Sequence, residues 1–412
     1  MIKKPELVAP AGDFERLRAA FMFGATSCYL GGSEFSLRAH AKNFELENIK
    51  QAADFAHTMR GKVYVAVNVF AHNNEFERLY NYIIDLRQAG VDALIASDPG
   101  VINLIHEVLP DMDIHISTQA NTHNYRAVSF WGKLGIKRVI LARELSINEI
   151  SEIHQREPSV ELETFVHGAM CAAYSGRCLL SLYMTGRSAN RGECAHPCRY
   201  GYSLLEETRP GEYFPVEEDG RGTYIMNSKD LCLVQRLPEL INAGVAAFKI
   251  EGRMKSMAYV AAVTRVYRDA IDDYFYDPEL YRSNLPSYIS ELQKTSRREF
   301  TAGFFDGKLS ADSISYDNDG AAPPEGSVAR SDFCAVVKSY DKSTGCAIIE
   351  QRGKFSVGET LEFLTSSRSD FKQVIAGLST MDGERVLHAP HPKQLLRLEV
   401  EYPVRELDIL RR

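Results

Sequence analysis

Residues 163–198 read ETFVHGAMCAAYSGRCLLSLYMTGRSANRGECAHPC, and the interpretation of the whole chain starts from this stretch. It opens with a short apolar run typical of a buried strand and continues into a cysteine-rich segment. Four cysteines have the spacing C-x6-C-x15-C-x3-C, namely Cys171, Cys178, Cys194 and Cys198. Convergent thiolates suit a soft metal or an iron–sulfur cluster, because sulfur ligands prefer soft centres. Cys232 lies nearby as an alternative fourth ligand.

Other uses of cysteine explain this cluster less well. Burial as a small hydrophobe accounts for isolated cysteines such as Cys28 and Cys334, but not for clustering. The first residues, MIKKPELVAPAGD, do not resemble a signal peptide, so we expect a reducing cytoplasmic location in which disulfides are rare. Structural zinc is the alternative metal, although its usual signature is a pair of C-x2-C knuckles. The spacing therefore favours a cluster over zinc, and neither metal alone defines a reaction.

Short apolar runs recur through the first two-thirds of the chain, each followed by a segment with helical spacing. This alternation is typical of βα units and a parallel sheet. The predicted strands are residues 6–9, 27–30, 63–68, 93–96, 113–117, 138–142, 162–167 and 246–251. Eight repeats are the number that closes a TIM-like (β/α)8 barrel, and an open doubly wound sheet is the alternative. The cysteine segment then becomes a long insertion after the seventh strand.

In such barrels the chemistry lies at the carboxyl ends of the strands. Polar residues at the ends of the predicted strands or just after them are therefore candidates for a site. The candidate catalytic residues are His167, Lys249 and Arg253, and the candidate substrate-binding residues are Arg38, Asn68, Gln119, Arg143 and Glu251. Arginine offers a planar fork for carboxylates or phosphates, so a small anion or a nucleotide is a natural ligand. Internal salt bridges are the alternative for each arginine. His167 fits either a general base or a hydrogen-bonded structural residue.

Length and composition predict two folded domains. At 412 residues the chain has room for one large domain and one smaller domain. We expect the barrel at residues 1–276, with the insertion over 168–232, a helical and linker connection at 277–325, and a small antiparallel β-barrel at 326–412. No run of about eighteen apolar residues occurs, so no transmembrane helix is expected. The formal charge of -7 argues against a uniformly basic surface but permits a local basic patch.

Common hydrolase motifs are missing from the sequence. There is no HExxH of a zinc protease, no GxSxG nucleophile elbow and no Walker P-loop. A cysteine protease needs a thiolate paired with histidine, whereas the clustered cysteines are better suited to metal binding. Sequence chemistry therefore does not support hydrolysis.

Several long motifs together resemble one known family. They are ELVAPAG near the start, the cysteine stretch, NSKDLC, KIEGR and SRREFTAGFF. The chain resembles peptidase family U32, the collagenase-like peptidases, and within it the bacterial proteins of tRNA 5-hydroxyuridine synthesis. This resemblance covers nearly the whole chain and implies a TIM-like barrel, an iron–sulfur cluster of the 4Fe-4S type, and prephenate-dependent hydroxylation of the wobble uridine of tRNA.

The resemblance also implies roles for individual residues. Cys171, Cys178 and Cys194 match the family's cluster ligands most clearly, and the fourth ligand is Cys198 or Cys232. Lys249 and Arg253 match the KIEGR motif, and from their charge and position we expect them to bind the carboxylates of prephenate. Two alternatives follow from the family name and its members: a peptidase, and a non-catalytic cluster-bearing scaffold that pairs with a family member or with a second copy.

Overall fold

The computed structural model describes residues 3–36, 43–170, 174–191, 193–195, 197, 229–296, 299–307 and 331–412, together with four short strands between residues 204 and 224. The strands are β1 (Glu6–Pro10), β2 (Ser27–Gly31), β3 (Lys62–Ala66), β4 (Ala93–Ala96), β5 (Asp113–Ile116), β6 (Arg138–Ile140), β7 (Glu161–Gly168), β8 (Leu204–Leu205), β9 (Tyr213–Phe214), β10 (Glu217–Asp219), β11 (Gly222–Tyr224), β12 (Asp230–Cys232), β13 (Ala247–Ile250), β14 (Phe300–Thr301), β15 (Phe333–Asp341), β16 (Cys346–Gln351), β17 (Thr360–Leu364), β18 (Phe371–Val374), β19 (Leu378–Thr380), β20 (Arg385–Val386), β21 (Leu395–Glu399) and β22 (Ile409–Arg411).

The helices are α1 (Phe14–Met22), α2 (Leu46–Thr58), α3 (Phe76–Gln88), α4 (Pro99–Val108), α5 (Tyr125–Lys133), α6 (Ile147–Arg156), α7 (Leu180–Thr185), α8 (Leu237–Asn242), α9 (Met257–Tyr276) and α10 (Pro278–Gln293). Three helices begin directly after a polar residue that follows a strand. Asp13, Asp98 and Ser146 cap α1, α4 and α6 by accepting backbone N–H bonds. Within the described part of the chain, no helix is long and apolar enough to cross a membrane.

Eight parallel strands form a closed barrel, as predicted. β1 to β7 pair in sequence order, and β13 pairs with both β1 and β7, which closes the ring. All eight predicted strands are confirmed, and the open-sheet alternative is wrong. The strands are buried along almost their whole length, because helices cover the outside while side chains fill the inside. The mouth of the barrel, at the carboxyl ends of these strands, is where the candidate residues meet.

The barrel interior holds a buried network of charges. The Arg138 guanidinium lies 3.0 Å from Glu6, 2.7 Å from Glu161 and 3.2 Å from Glu163. Lys249 Nζ lies 2.7 Å from the other oxygen of Glu163. Arg138, Glu163 and Lys249 are almost completely buried, so each charge depends on its partners for compensation. The network joins β1, β6, β7 and β13.

Glu6 is the best-satisfied carboxylate of this network. Ser27 Oγ and Tyr64 Oη each donate to it at 2.6 Å, in addition to the bonds from Arg138. Burial raises the pKa of Glu6, but the hydrogen bonds and charge of Arg138, with the two hydroxyls, outweigh burial and lower this pKa to about 2. Glu6 is therefore ionised at neutral pH.

Between β7 and β13 the chain makes the predicted long insertion. It returns to the sheet at β12, which runs antiparallel to β7 with Cys232 opposite His167, and β14 pairs parallel to β12. Within the insertion β8 pairs with β9 and β10 pairs with β11, both antiparallel. The insertion is thus attached to the barrel at both of its ends.

The C-terminal residues form the predicted antiparallel β domain. Eight strands pair in the order β18, β17, β22, β15, β16, β21, β19, β20, which makes a half-barrel with its own apolar core. A third apolar cluster joins this domain to α1 and α9, with Phe23 and Met257 packed against Val336 and Leu364. Arg411 adds an ion pair to Glu291 of α10, so the two domains are firmly apposed.

Glu163→Gln should lower the free energy of unfolding by about 3–5 kcal/mol, because Lys249 would keep a buried charge without its carboxylate partner. Chemical denaturation at neutral pH measures this loss. The control is Lys137→Ala, which breaks an exposed ion pair to Asp113 and should cost less than about 1 kcal/mol. The double change Glu163→Leu with Lys249→Met should recover much of the loss. Equal losses of unfolding free energy for Glu163→Gln and Lys137→Ala would contradict the conclusion that the buried charge of Lys249 depends on Glu163.

Candidate functional site

Arg143 stands at the mouth with an incompletely used guanidinium. It follows β6 and stacks on the Phe165 ring at 3.9 Å, while Nη1 donates to the Ala169 carbonyl at 3.0 Å and Nη2 lies 4.0 Å from Glu251. Its buried Nε has no hydrogen-bond partner among the described residues. A neighbouring cavity of about 30 Å³ has room for water but not for a metabolite.

Arg253 lies on the opposite side, close to the ends of β1 and β2. Its side chain is buried, and Nη1 donates to Ser36 Oγ at 3.0 Å. A Cβ on Gly31 would lie 2.1 Å from that nitrogen, so only glycine leaves room for the guanidinium. Arg38, predicted to join this group, lies outside the described residues.

Glu251 shares the mouth with Tyr29, whose Oη lies 3.1 Å from a Glu251 oxygen. Asn68 and Gln119 form a second polar pair, since Asn68 Nδ2 donates to Gln119 Oε1 at 2.7 Å. The structure therefore gathers Asn68, Gln119, Arg143, Glu251 and Arg253 at one end of the barrel, as their positions after strands predict. Their roles as ligands stay predictions.

Lys249 has a different environment from the one expected for a ligand-binding cation. It lies within β13, paired with Glu163, and its ammonium stands 4.3 Å from the centre of the Tyr29 ring. Burial lowers the pKa of Lys249, although the charge of Glu163 opposes that effect. Its carboxylate partner is internal to the barrel, which gives Lys249 a structural function independent of any substrate.

His167 is enclosed by aromatic rings. The rings of Tyr259, Tyr267 and Phe300 lie 5.3 to 6.0 Å from it, and Nδ1 is 3.4 Å from Tyr267 Oη. Burial, helped by the charge of Lys255, lowers the pKa of His167 to about 3. The imidazole is therefore neutral at pH 7 but a weak proton acceptor, and it is buried, which fits the structural alternative better than the role of a general base.

Two tethers hold the start of the cysteine segment against the mouth. Glu144, at the end of β6, accepts bonds from Ser175 N–H at 2.6 Å and Ser175 Oγ at 2.5 Å. Arg177 Nε donates to the Gln119 carbonyl at 2.7 Å. Ser175 has a φ of 44°, a left-handed conformation that is strained for serine, and the bonds to Glu144 stabilise it. These tethers bracket residues 175–177, just before Cys178.

Cys178 and Cys194 belong to one small loop. Cys178 N–H donates to Asn190 Oδ1 at 3.1 Å, and Ala195 N–H donates to Ser181 Oγ at 3.0 Å, so residues 178–181 lie beside residues 190–195. Neither cysteine forms a disulfide, and both are partly exposed. Two thiols on one loop suit a soft metal or an iron–sulfur cluster. The other predicted ligands, Cys171 and Cys198, lie outside the described residues.

The described residues alone contain no group of three or more metal-binding side chains. Cys232, the alternative fourth ligand, is in β12 rather than in this loop. Its Sγ lies 3.9 Å from Tyr267 Oη, and burial raises the pKa of its thiol to about 11. Cys232 is thus integrated into the sheet next to His167.

A serine, a glutamate and a histidine meet here in an order unlike that of a protease. Ser175 Oγ bonds to Glu144, and His123 Nε2 lies 3.6 Å from the same carboxylate. His123 also stacks on Tyr174 at 4.9 Å. In a hydrolytic triad the histidine lies between serine and acid to take the serine proton. Here the acid lies between them, so Ser175 is not an activated nucleophile.

Sequence patterns did not identify several of these residues. Ser175 and Arg177 lie inside a segment in which the spacing of the cysteines is the recognisable pattern. His123 follows β5 and belongs to no motif. Glu144 has a weak signal, because it comes directly after Arg143 at a strand end. Their contacts depend on pairing between distant parts of the chain.

Family models match both domains. The model for Peptidase family U32 matches residues 12–315, and that for the Peptidase family U32 C-terminal domain matches residues 329–411. The chain is 37% identical to tRNA hydroxylation protein P1 of Bacillus subtilis, covering 100% of this chain and 95% of that protein. It is 37% identical to tRNA hydroxylation protein P of Escherichia coli, covering 94% and 92%. The chain therefore belongs to peptidase family U32.

A third relative acts on a different RNA. The 23S rRNA 5-hydroxycytidine synthase of Escherichia coli is 39% identical over 267 residues, which cover 65% of this chain and 39% of that protein. The relatives of this chain thus include proteins named for tRNA and a protein named for rRNA.

Glu144→Ala should release the cysteine segment from the barrel. Loss of a hydrogen bond to a charged group is worth about 1.5–3 kcal/mol, so limited trypsin cleavage at Arg177 and Arg187 should accelerate about tenfold or more. The matched control is Glu149→Ala, which removes a glutamate that caps α6 and leaves both tethers intact. Equal cleavage rates in the two variants would contradict the tether.

Proposed function

We propose that this protein is a tRNA-modifying enzyme that hydroxylates the wobble uridine at C5, giving 5-hydroxyuridine. The proposal takes its reaction from the tRNA hydroxylation proteins that the chain matches over nearly its full length. The rRNA relative is named for a 5-hydroxylated pyrimidine as well, which supports C5 hydroxylation of an RNA pyrimidine as the common chemistry.

One structural observation carries the proposal: the cysteine segment is fixed against the barrel mouth. Glu144 and the Gln119 carbonyl hold residues 175–177 there, and Cys178 follows immediately. A redox group held by these cysteines would face a nucleotide that enters the mouth. A surface metal site with only a structural function would not need such tethers to the strand ends.

We propose that Cys171, Cys178 and Cys194 hold an iron–sulfur cluster of the 4Fe-4S type, with Cys198 or Cys232 as the fourth ligand. Bound there, the cluster would supply electron transfer for the oxidation. The protein's own contribution is to keep the thiols at the mouth, and Ser175 and Arg177 do this through their bonds to the barrel. Zinc on the same thiols is the alternative that metal analysis excludes or supports.

We propose that prephenate binds at the mouth through its carboxylates. Arg143 and Arg253 are two arginines whose side chains the described residues place there, and a planar guanidinium matches a carboxylate in charge and shape. Arg143 Nε has no hydrogen-bond partner among the described residues, which leaves Arg143 with unused hydrogen-bonding capacity for a ligand. The internal pairing of Lys249 with Glu163 makes it the weaker candidate.

Purification without oxygen, followed by iron, sulfide and zinc analysis, tests the metal. We expect a brown protein with iron and sulfide in similar amounts, and we expect Cys178→Ala to abolish the colour. The controls Cys28→Ala and Cys334→Ala change cysteines buried in the cores of the two domains and should leave it intact. Mass spectrometry of tRNA from cells that lack this protein should show the loss of one oxygen on the wobble uridine.

Other outcomes would point to the alternatives. Stoichiometric zinc would indicate a structural metal if tRNA from cells that lack this protein also kept its normal level of hydroxylation. Cleavage of gelatin or peptides by cluster-free protein would favour a peptidase. A scaffold would be favoured if a variant kept its cluster but lost both tRNA modification and a complex with another protein.

Arg143→Lys should raise the apparent KM for prephenate about 10–100-fold, because the charge stays but the forked hydrogen bonding is lost. The measurement is the rate of tRNA hydroxylation at a series of prephenate concentrations. Arg156→Lys, on the exposed surface of α6, is the control and should leave KM unchanged. An unchanged KM in Arg143→Lys, with reduced kcat, would assign Arg143 to another step.

A further inference from the structure

Tyr174 is an exposed aromatic residue at the rim of the barrel mouth, in the short turn Tyr174–Gly176. Solvent reaches 57% of its surface. Single exposed aromatic residues are common on protein surfaces and do not by themselves mark a site. Tyr174 differs from the others in the residue that its ring packs on and in the way its backbone is held.

The ring of Tyr174 lies flat on the imidazole of His123. The two ring centres are 4.9 Å apart and the planes differ by 23°, which is an offset stack. His123 is itself fixed, because Nδ1 lies 2.7 Å from the Asn121 carbonyl and Nε2 lies 3.6 Å from Glu144. Since His123 covers one face of the phenol ring and more than half of Tyr174 is still in solvent, the opposite face is open.

Hydrogen bonds on both sides of the turn fix the backbone of Tyr174. Its carbonyl accepts the Arg177 N–H at 3.0 Å. The next residue, Ser175, donates to Glu144 through its N–H and its hydroxyl, and Arg177 Nε donates to the Gln119 carbonyl. The orientation of the Tyr174 ring is therefore set before a ligand arrives, which lowers the entropy cost of binding.

Other exposed aromatic residues have different surroundings. Phe130 and Tyr402 meet a neighbouring ring edge-on, and Tyr276 has no ring contact among the described residues. No other exposed tyrosine or phenylalanine of the described chain lies flat on a neighbouring ring. Tyr174 is thus distinguished by a supported face, a fixed backbone and an open face.

The open face of Tyr174 lies beside the opening of the barrel, near the ends of β5 and β6. His123 follows β5 and Glu144 follows β6, and both contact this turn. The chain continues from the turn directly to Cys178. A flat ligand on Tyr174 would therefore lie on the rim, next to both the mouth and the cysteine segment.

We propose that Tyr174 stacks on a base of the RNA substrate that flanks the target nucleotide. This inference rests on the proposed function and adds a substrate contact to it. An aromatic face binds an unpaired base of any identity, and one such stack typically strengthens binding about 5–100-fold. The target nucleotide enters the mouth, so the base on the exposed rim is its neighbour. The stack holds this neighbour away from the target, which leaves the target free to enter.

The test is Tyr174→Ala in the full chain loaded with its metal. The probe is an RNA stem–loop with the anticodon sequence of a substrate tRNA and uridine at the wobble position, and fluorescence anisotropy measures its binding. Affinity should fall about 5–100-fold. The slope of log affinity against log salt should stay unchanged, because the stack neutralises no phosphate. In steady state, KM for tRNA should rise while KM for prephenate stays constant.

Matched variants separate stacking from other effects. Tyr174→Phe keeps the ring and should keep the affinity, whereas Tyr174→Leu keeps apolar bulk without a flat face and should resemble Tyr174→Ala. The control Tyr276→Ala removes a tyrosine that is 85% exposed at the carboxyl end of α9, away from the mouth, and should leave affinity unchanged. Unchanged trypsin cleavage at Arg177 and Arg187 in each variant shows that the tethers are intact.

A double-mutant cycle identifies the base. Stem–loops that lack the base at one of the two positions flanking the wobble uridine are bound to unchanged protein and to Tyr174→Ala. We expect one of these RNAs to bind both proteins equally, because the ring and its partner base act as a pair and the loss of either removes the same contact.

The outcomes separate this inference from the proposed function. If unchanged protein hydroxylates tRNA and Tyr174→Ala binds the stem–loop equally well, or loses the same factor with both base-deleted RNAs, Tyr174 does not stack on a flanking base. If Tyr174→Ala changes only KM for prephenate, the ring belongs to the small-molecule site and the inference is overturned. If unchanged protein neither binds nor hydroxylates tRNA, the proposed function itself fails, and the stack with it.

Discussion

The ion pair between Glu163 and Lys249 is the interaction on which the rest of the structure depends. It spans β7 and β13, the two strands whose pairing closes the barrel, with 2.7 Å between the charged atoms and almost no exposure to solvent. A buried carboxylate and a buried ammonium each cost several kcal/mol unless they meet with good geometry. Misregistered pairing of these strands would leave both charges unpaired, so the ion pair favours one register over its neighbours. The Arg138 network extends the same constraint to β6 and β1.

Closure in this register determines where the candidate site forms. Glu251 and Arg253 follow β13, while Arg143 and Glu144 follow β6. The fixed pairing of β7 with β13 places these four residues around one opening. Arg143 lies 4.0 Å from Glu251 as a result. The cysteine segment is then fastened to the same opening by Glu144. Charges that specify the barrel at its centre thus also orient the candidate residues at its mouth.

Local signals predicted the barrel and the end of it at which the candidate residues lie, but not the partners of those residues. Apolar runs and helix caps such as Asp13 and Ser146 act over a few residues, which is why the eight strands were predictable. Lys249 and Glu163 are 86 positions apart, and Ser175 and Glu144 are 31 apart. Such pairs depend on strand register and on the path of the insertion. The KIEGR motif therefore indicated that Lys249 matters without indicating that its partner is internal, and the position of His167 did not reveal its aromatic surroundings.

The attachment of the insertion has a consequence for how this protein can vary. β7 ends at Gly168, and Leu231 of β12 is its direct partner in an antiparallel pair, so the two ends of residues 169–230 are neighbours in space. The barrel therefore meets the insertion as the two arms of a hairpin, whatever lies between them. Lengthening, shortening or exchanging the intervening chain costs little loop-closure entropy and leaves the register of the barrel unchanged. The barrel can therefore accept changes in the sequence and length of this insertion without a change in its own strand pairing.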